Sequence, residues 1–250
     1  RLGQRIVKHH ALLGVRLKLV DQNHLRGGLA SLGVGPGDGV GIIANNRNEW
    51  AIAAYATYGL GARYIPMYEA ELQRIMKYII ADSGVKILLV SRNDILEKVK
   101  DFPEEIETLE KIFVIESDAE NSLARLEKIG KENPVPSIKP SRDDIAGLIY
   151  TSGTTGNPKG VLLSHGNFTS NVLAGHKVFP GLNENDRGLS ILPWAHSFGQ
   201  TGELYLYSHI GGSIGFMGDV TTLGDDMEKV QPTFLIAVPR GFNKIYAGLW

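Results

Sequence analysis

A chain of 250 residues, 43% of them hydrophobic, can bury a sizeable core as one large domain or two smaller ones. Its 26 basic and 27 acidic side chains leave a formal charge of −1, which gives no broad pull toward nucleic acid or anionic lipid and speaks against nucleic acid as a partner. The absence of cysteine excludes disulfides, thiolate zinc ligands and a thiol nucleophile.

Taken in chain order, "RLGQRIVKHH" is basic but lacks the apolar block of a signal peptide. His9 and His10 are adjacent and cannot share a helix face, so they read as a solvated basic stretch without a metal role. "KHHALLGVRLKLVDQN" has no clean period, whereas Leu25, Leu29 and Leu32 suggest a helix. "GVGPGDGVG" (Gly33 to Gly41) has glycine at every second position, unlike the G-x-G-x-x-G of a dinucleotide fold, and reads as a turn.

Strands are predicted at Val40 to Asn45, Ala62 to Met67, Val85 to Val90 and Lys111 to Glu116. Leu72, Ile75, Met76, Ile79 and Ile80 repeat at helical spacing. "ENPVPSIKPSRDD" (Glu132 to Asp144) carries three prolines among polar residues and reads as an extended connector. Beyond it come strand candidates at Gly147 to Thr151, Gly160 to Ser164, Leu189 to Pro193 and Phe234 to Pro239. A helix is expected to start near Ser164 to Asn167, where Ser and Asn can cap it. Phe242, Ile245, Tyr246, Leu249 and Trp250 carry helical spacing to the last residue.

This alternation predicts an α/β fold of layered, largely parallel sheets flanked by helices. The expected division is a first α/β subdomain over 1–132, a connector over 133–142 and a second α/β subdomain over 143–250. Both ends read as cut, so a longer polypeptide is expected. No apolar run approaches the roughly 20 residues that span a bilayer, which suggests a cytoplasmic chain and leaves peripheral membrane contact open.

The most unusual stretch is "YTSGTTGNPKG" (Tyr150 to Gly160), with four Ser/Thr hydroxyls, three glycines and one lysine between apolar runs. Glycines let a backbone approach a ligand closely, amides and hydroxyls supply donors without bulk, and Lys159 adds a compact positive charge. These properties suit a polyphosphate, although the same composition also describes an ordinary surface loop. It is not the common P-loop, because Lys159 precedes Gly160 and leads into strand-like "VLLS" rather than a helix. "GGSIG" (Gly211 to Gly215) fits a G-x-S-x-G nucleophile elbow, but no histidine follows His209 and the context reads as a strand, so a hydrolase is set aside.

"YTSGTTGNPKGVLLSHGN" (Tyr150 to Asn167) resembles the signature of the adenylate-forming, AMP-binding superfamily. "LASLGVGPGDGVGIIANNRNEWAIAAYATYGLGARYIPMYE", "ILPWAHSFGQ" and "PTFLIAVPRGFNKIY" resemble further motifs of that family in the same order, over about residues 27 to 250. "GARYIPMYE" and "AVPRGFNKIY" are most similar to long-chain fatty-acid CoA ligases. The resemblance implies the large N-terminal domain of such an enzyme, without the C-terminal domain, so that this piece alone would not turn over.

It also implies AMP-forming activation of a fatty or similar carboxylic acid with ATP and magnesium, followed by transfer to CoA. Thr151, Ser152, Gly153, Thr154, Thr155 and Gly156 would wrap the phosphates, with Lys159 countering pyrophosphate charge and Thr151 near the magnesium. His196 would lie beside the acyl carboxylate and α-phosphate, and "SFGQTGELYLY" would begin the acyl pocket wall. No aspartate occurs between Leu189 and Gln200 to meet a substrate ammonium, which favours an uncharged acyl tail. The alternatives are a ligase for aryl or amino acids, and a non-catalytic nucleotide- or lipid-binding module.

Overall fold

The structure is a computed structural model, and it describes residues 19–151, 156–239 and 242. His9, His10, Ile245, Tyr246, Leu249 and Trp250 lie outside the described residues, and Phe242 is helical. The described residues fall into two compact units, divided after Asn171.

In the unit that ends at Asn171, the chain order is α1 (Leu19–Ser31), β1 (Gly39–Ile43), α2 (Asn48–Tyr58), β2 (Arg63–Met67), α3 (Gln73–Ser83), β3 (Val85–Val90), α4 (Asn93–Val99), α5 (Phe102–Glu105), β4 (Lys111–Val114), α6 (Leu123–Glu132), β5 (Ile145–Thr151) and β6 (Lys159–Ser164). The six strands form one sheet in the order β4-β3-β1-β2-β5-β6. Pairing is parallel from β4 to β5, and only β6 runs antiparallel, against β5. That exception follows from connection length, since a short loop can return only an antiparallel neighbour.

Val40, Ile42, Ile43 and Ile87 to Val90 are buried, as expected for strands covered on both faces. On α3, Met76, Ile79 and Ile80 are buried while Leu72 stays 57% exposed at the N-cap, and Gly84 ends the helix at φ 65°. The helix turns left-handed there, a conformation that glycine adopts without steric cost. Residues 133–142 form no helix or strand. Beyond them β5 re-enters the first sheet beside β2, with Tyr64 opposite Gly147. The division between compact units therefore falls later than the connector, inside α7 (His165–Val178).

The second unit, from Val172 onward, contains β7 (Arg187–Ser190), α8 (Ser197–Gly199), a π-helical turn at Gln200–Tyr205, α9 (Leu206–Ile210), β8 (Ser213–Phe216), a short 3-10 turn (Val220–Thr222) and α10 (Leu223–Val230). β7 and β8 pair in parallel.

Two strand expectations need correction here. The strand predicted at Leu189 to Pro193 ends at Ser190, because the Ile191 and Leu192 N–H groups donate to the Glu203 carboxylate instead of to a neighbouring strand. The run Phe234 to Pro239 is not a strand. Thr233 and Phe234 N–H both donate to Arg187 O, and the Phe234 carbonyl accepts the Tyr207 hydroxyl at 2.7 Å. Strand propensity finds no ladder partner there among the described residues.

Candidate functional site

The polyphosphate-like loop joins β5 to β6, with Tyr150 opposite Gly160 and Thr151 opposite Lys159. Thr151 and Lys159 are exposed, and among the described residues Lys159 has no ion-pair partner. Gly156 sits at φ 120°, where a side chain is strained, and nothing lies within 4 Å of where a Cβ would stand. Ser152, Gly153, Thr154 and Thr155 lie outside the described residues.

The foot of the hairpin is closely packed. A Cβ on Gly160 would come within 2.9 Å of Tyr150 Cζ, so the tyrosine ring covers that position. Past β6, α7 starts at His165 as expected, with Asn167 N–H donating to Ser164 Oγ at 3.2 Å and Ser164 N–H to Asn167 Oδ1 at 2.9 Å. Lys159 thus opens a strand, and the next helix in the chain begins only after that strand ends.

His196 belongs to the second unit, where it is exposed as the N-cap of α8. Its Nδ1 accepts the Phe198 N–H at 3.1 Å. The lone pair is then on Nδ1, and a neutral ring carries its proton on Nε2 as an outward donor. Such a donor suits a carboxylate or phosphate oxygen.

Sequence reading missed Glu203, which is 2% exposed in the π-helical turn. Its carboxylate accepts from Ser190 Oγ at 2.5 Å, Ile191 N at 3.0 Å, Leu192 N at 2.9 Å and Trp194 Nε1 at 3.0 Å. Burial pushes its pKa up to about 7, against the opposite pull of these donors. The available signal was a lone acidic residue inside the apolar run "GELYLY".

At the carboxyl ends of β1, β2 and β3, where open α/β sheets commonly take ligands, buried Glu69 accepts from Asn45 N at 3.0 Å and Arg92 Nη1 at 2.6 Å. That position is filled by the protein's own ion pair. Ser213 opens β8 instead of standing on a strand-to-helix elbow, which agrees with setting the hydrolase aside. Among the described residues there is no group of three His, Cys, Asp or Glu that could hold a metal, and no helix long and apolar enough to cross a membrane.

A family model described as "AMP-binding enzyme" matches residues 21–249. Fatty acyl-CoA synthetase A of Dictyostelium discoideum is 32% identical over 241 residues, covering 91% of this chain and 36% of that protein. Long-chain-fatty-acid–CoA ligase 6 of Mus musculus is 32% identical, covering 85% of this chain and 33% of its own length. The crystal structure of a long-chain-fatty-acid-CoA ligase from Archaeoglobus fulgidus superposes with a TM-score of 0.78 at 29% identity, over 91% of this chain and 45% of that one. The chain spans about a third of the length of these two sequence relatives.

Proposed function

Because the chain belongs to the AMP-binding enzyme family, we propose that, within a longer protein, it activates a fatty acid with ATP. The acid's carboxylate oxygen attacks the α-phosphorus, the bond to the β-phosphate oxygen breaks, and acyl-adenylate and pyrophosphate result. The CoA thiol then attacks the acyl carbon, giving acyl-CoA and AMP, with the thiol proton passing to solvent. The fatty-acyl names of its relatives support this substrate class.

The observation that carries the reading is the β5–β6 hairpin, which stands Lys159 directly opposite Thr151 across the neck of the hydroxyl-rich loop. A carboxylate attacking a polyphosphate faces strong repulsion, so catalysis depends on positioning and on neutralising phosphate charge. Thr151, Ser152, Gly153, Thr154, Thr155 and Gly156 would supply donors to the β- and γ-phosphates, and Lys159 would counter the charge on departing pyrophosphate. His196 would donate from Nε2 to an oxygen of the acid or the α-phosphate.

The donor set fits magnesium only as a metal carried in on the nucleotide. Thr151 offers one oxygen, and no acidic cluster stands ready among the described residues. When bound, the ion supplies charge neutralisation at the phosphates.

The test is fatty-acid-dependent exchange of labelled pyrophosphate into ATP by the full-length protein. Lys159→Ala should weaken ATP binding or slow exchange, and removing Thr151 as well should deepen the loss. Unchanged exchange in the double variant would overturn the assignment.

A further inference from the structure

Why should the second unit bury a carboxyl group beneath the turn that leads to His196? Taking a carboxylate out of water costs several kcal/mol, and an apolar side chain would fill the same space without that cost. The hydrogen bonds show what the carboxyl group provides. Oε1 receives the Ile191 and Leu192 N–H groups, which have just left the β7 ladder, and Oε2 receives the Ser190 hydroxyl and the Trp194 indole N–H. The Trp194 side chain is fully buried and packs its ring edgewise on Phe216 at 5.5 Å.

From this turn the bonding continues to the histidine and back. His196 N–H donates to Pro193 O at 3.1 Å, and Gln200 N–H donates to His196 O at 3.0 Å. Gln200 opens the same π-helical turn that carries Glu203, and such turns often mark functional positions. Residues 190 to 203 thus form a closed circuit of bonds that runs from the carboxyl group through the main chain of His196, whose imidazole is in turn held by the Phe198 N–H on Nδ1. We propose that Glu203 is a positioning residue for His196, holding the Ser190–Trp194 turn so that the imidazole Nε2–H points to one place. This deepens the adenylation reading and rests on it for the role of His196.

A carboxylate accepts from all of these partners, whereas an amide in its place turns an N–H toward the indole N–H or the backbone. Glu203→Gln should therefore loosen the turn while keeping volume. In full-length protein, we expect it to lower kcat/KM for the fatty acid about tenfold, the effect of one charge-assisted hydrogen bond, with KM for ATP unchanged. In a His196→Ala background the same change should cost nothing further, because the group it positions is gone. Adding Trp194→Phe to Glu203→Gln should restore part of the loss by removing the opposing donor.

A second readout does not depend on turnover. Imidazole nitrogen chemical shifts of His196 should move in Glu203→Gln, while those of His165, in the other unit, stay fixed. If Glu203→Gln does not fold, Ser190→Ala removes a single donor and should show the same pattern more weakly. Multiplicative losses in the double variant, or unmoved His196 resonances, would overturn the proposal. If the wild-type protein shows no exchange at all, the adenylation reading fails instead, and the imidazole spectrum still decides whether Glu203 orients His196.

Discussion

The Tyr150 hydroxyl donates to Asp82 Oδ2 at 2.6 Å, tying the strand that leads into the candidate phosphate loop to the last turn of α3. Burial, and then the Asp82 carboxylate, hold the phenol well above its ordinary pKa, so it remains the donor at any working pH. Tyr150→Phe keeps the ring over Gly160 and removes the hydroxyl, with its bond to Asp82 and its interaction with Ser83. The expected cost is about 1–2 kcal/mol of stability, together with weaker nucleotide binding because Thr151 follows directly. Thermal unfolding and calorimetric titration with ATP measure both, and an unchanged affinity would show that the loop's footing is not set from Asp82.

A purely structural contrast is available where α1 meets α6. A Cβ on Gly130 would lie 1.7 Å from His24 O and 2.2 Å from Gly28 N, which is inside the hydrogen-bonded backbone of α1. No rotamer relieves a clash with backbone. Gly130→Ala should destabilise the fold by about 3 kcal/mol, seen as a lower unfolding midpoint. The kinetic constants of the folded fraction should be unaltered, since neither Lys159 nor His196 is touched.

These two cases mark how far the sequence could be read. Val85 to Val90 matches its strand to the residue, because an apolar β-branched run between turn residues has one good solution in a buried parallel sheet. Phe234 to Pro239 has the same character but no ladder, since the Phe234 carbonyl bonds Tyr207 instead, and propensity alone cannot foresee a missing partner. The same difference separates the candidate site residues. Thr151 and Lys159 stood out through local composition, which is what a phosphate loop needs. Glu203 acts through donors gathered from Ser190, Ile191, Leu192 and Trp194, and that convergence exists only once the chain has folded.

Glu203 also predicts a pH dependence of stability. Its folded pKa is pushed up to about 7 by burial, from an ordinary 4.5. The folded state therefore holds a proton that the unfolded chain has already released between those values. The stabilisation is fully present below about pH 4.5 and is lost as pH rises through about 7, by up to about 3 kcal/mol. The site accommodates the neutral acid, because the Ser190 hydroxyl can reverse and accept from a protonated Oε2. Denaturant unfolding from pH 5 to 8 should show a fall in wild-type stability that is flatter in Glu203→Gln. Parallel curves would assign the titration elsewhere, with Glu127, also raised to about 7 mainly by burial, as the next group to replace.

The turn beneath His196 can be disturbed without altering any charge. Gly199 is buried at the end of α8, and a Cβ there would stand 2.3 Å from Pro193 O and 3.1 Å from Leu192 O. Both atoms belong to the backbone of the turn that Glu203 holds, so an alanine must push that turn outward or displace α8, and with either one His196. Overpacking of this kind costs about 1–3 kcal/mol, which a protein of ordinary stability survives. If the place of His196 sets the rate of acid activation, Gly199→Ala should reproduce the kinetic pattern of Glu203→Gln, with kcat/KM for the fatty acid reduced and KM for ATP unchanged. It should do so with the pH dependence of stability kept, because the carboxyl group is unaltered and its Ser190 partner lies on β7, outside the displaced turn. A variant that loses stability but keeps its acid kinetics would show that the turn tolerates displacement, and would separate the packing role of residues 190–199 from any part in orienting the imidazole.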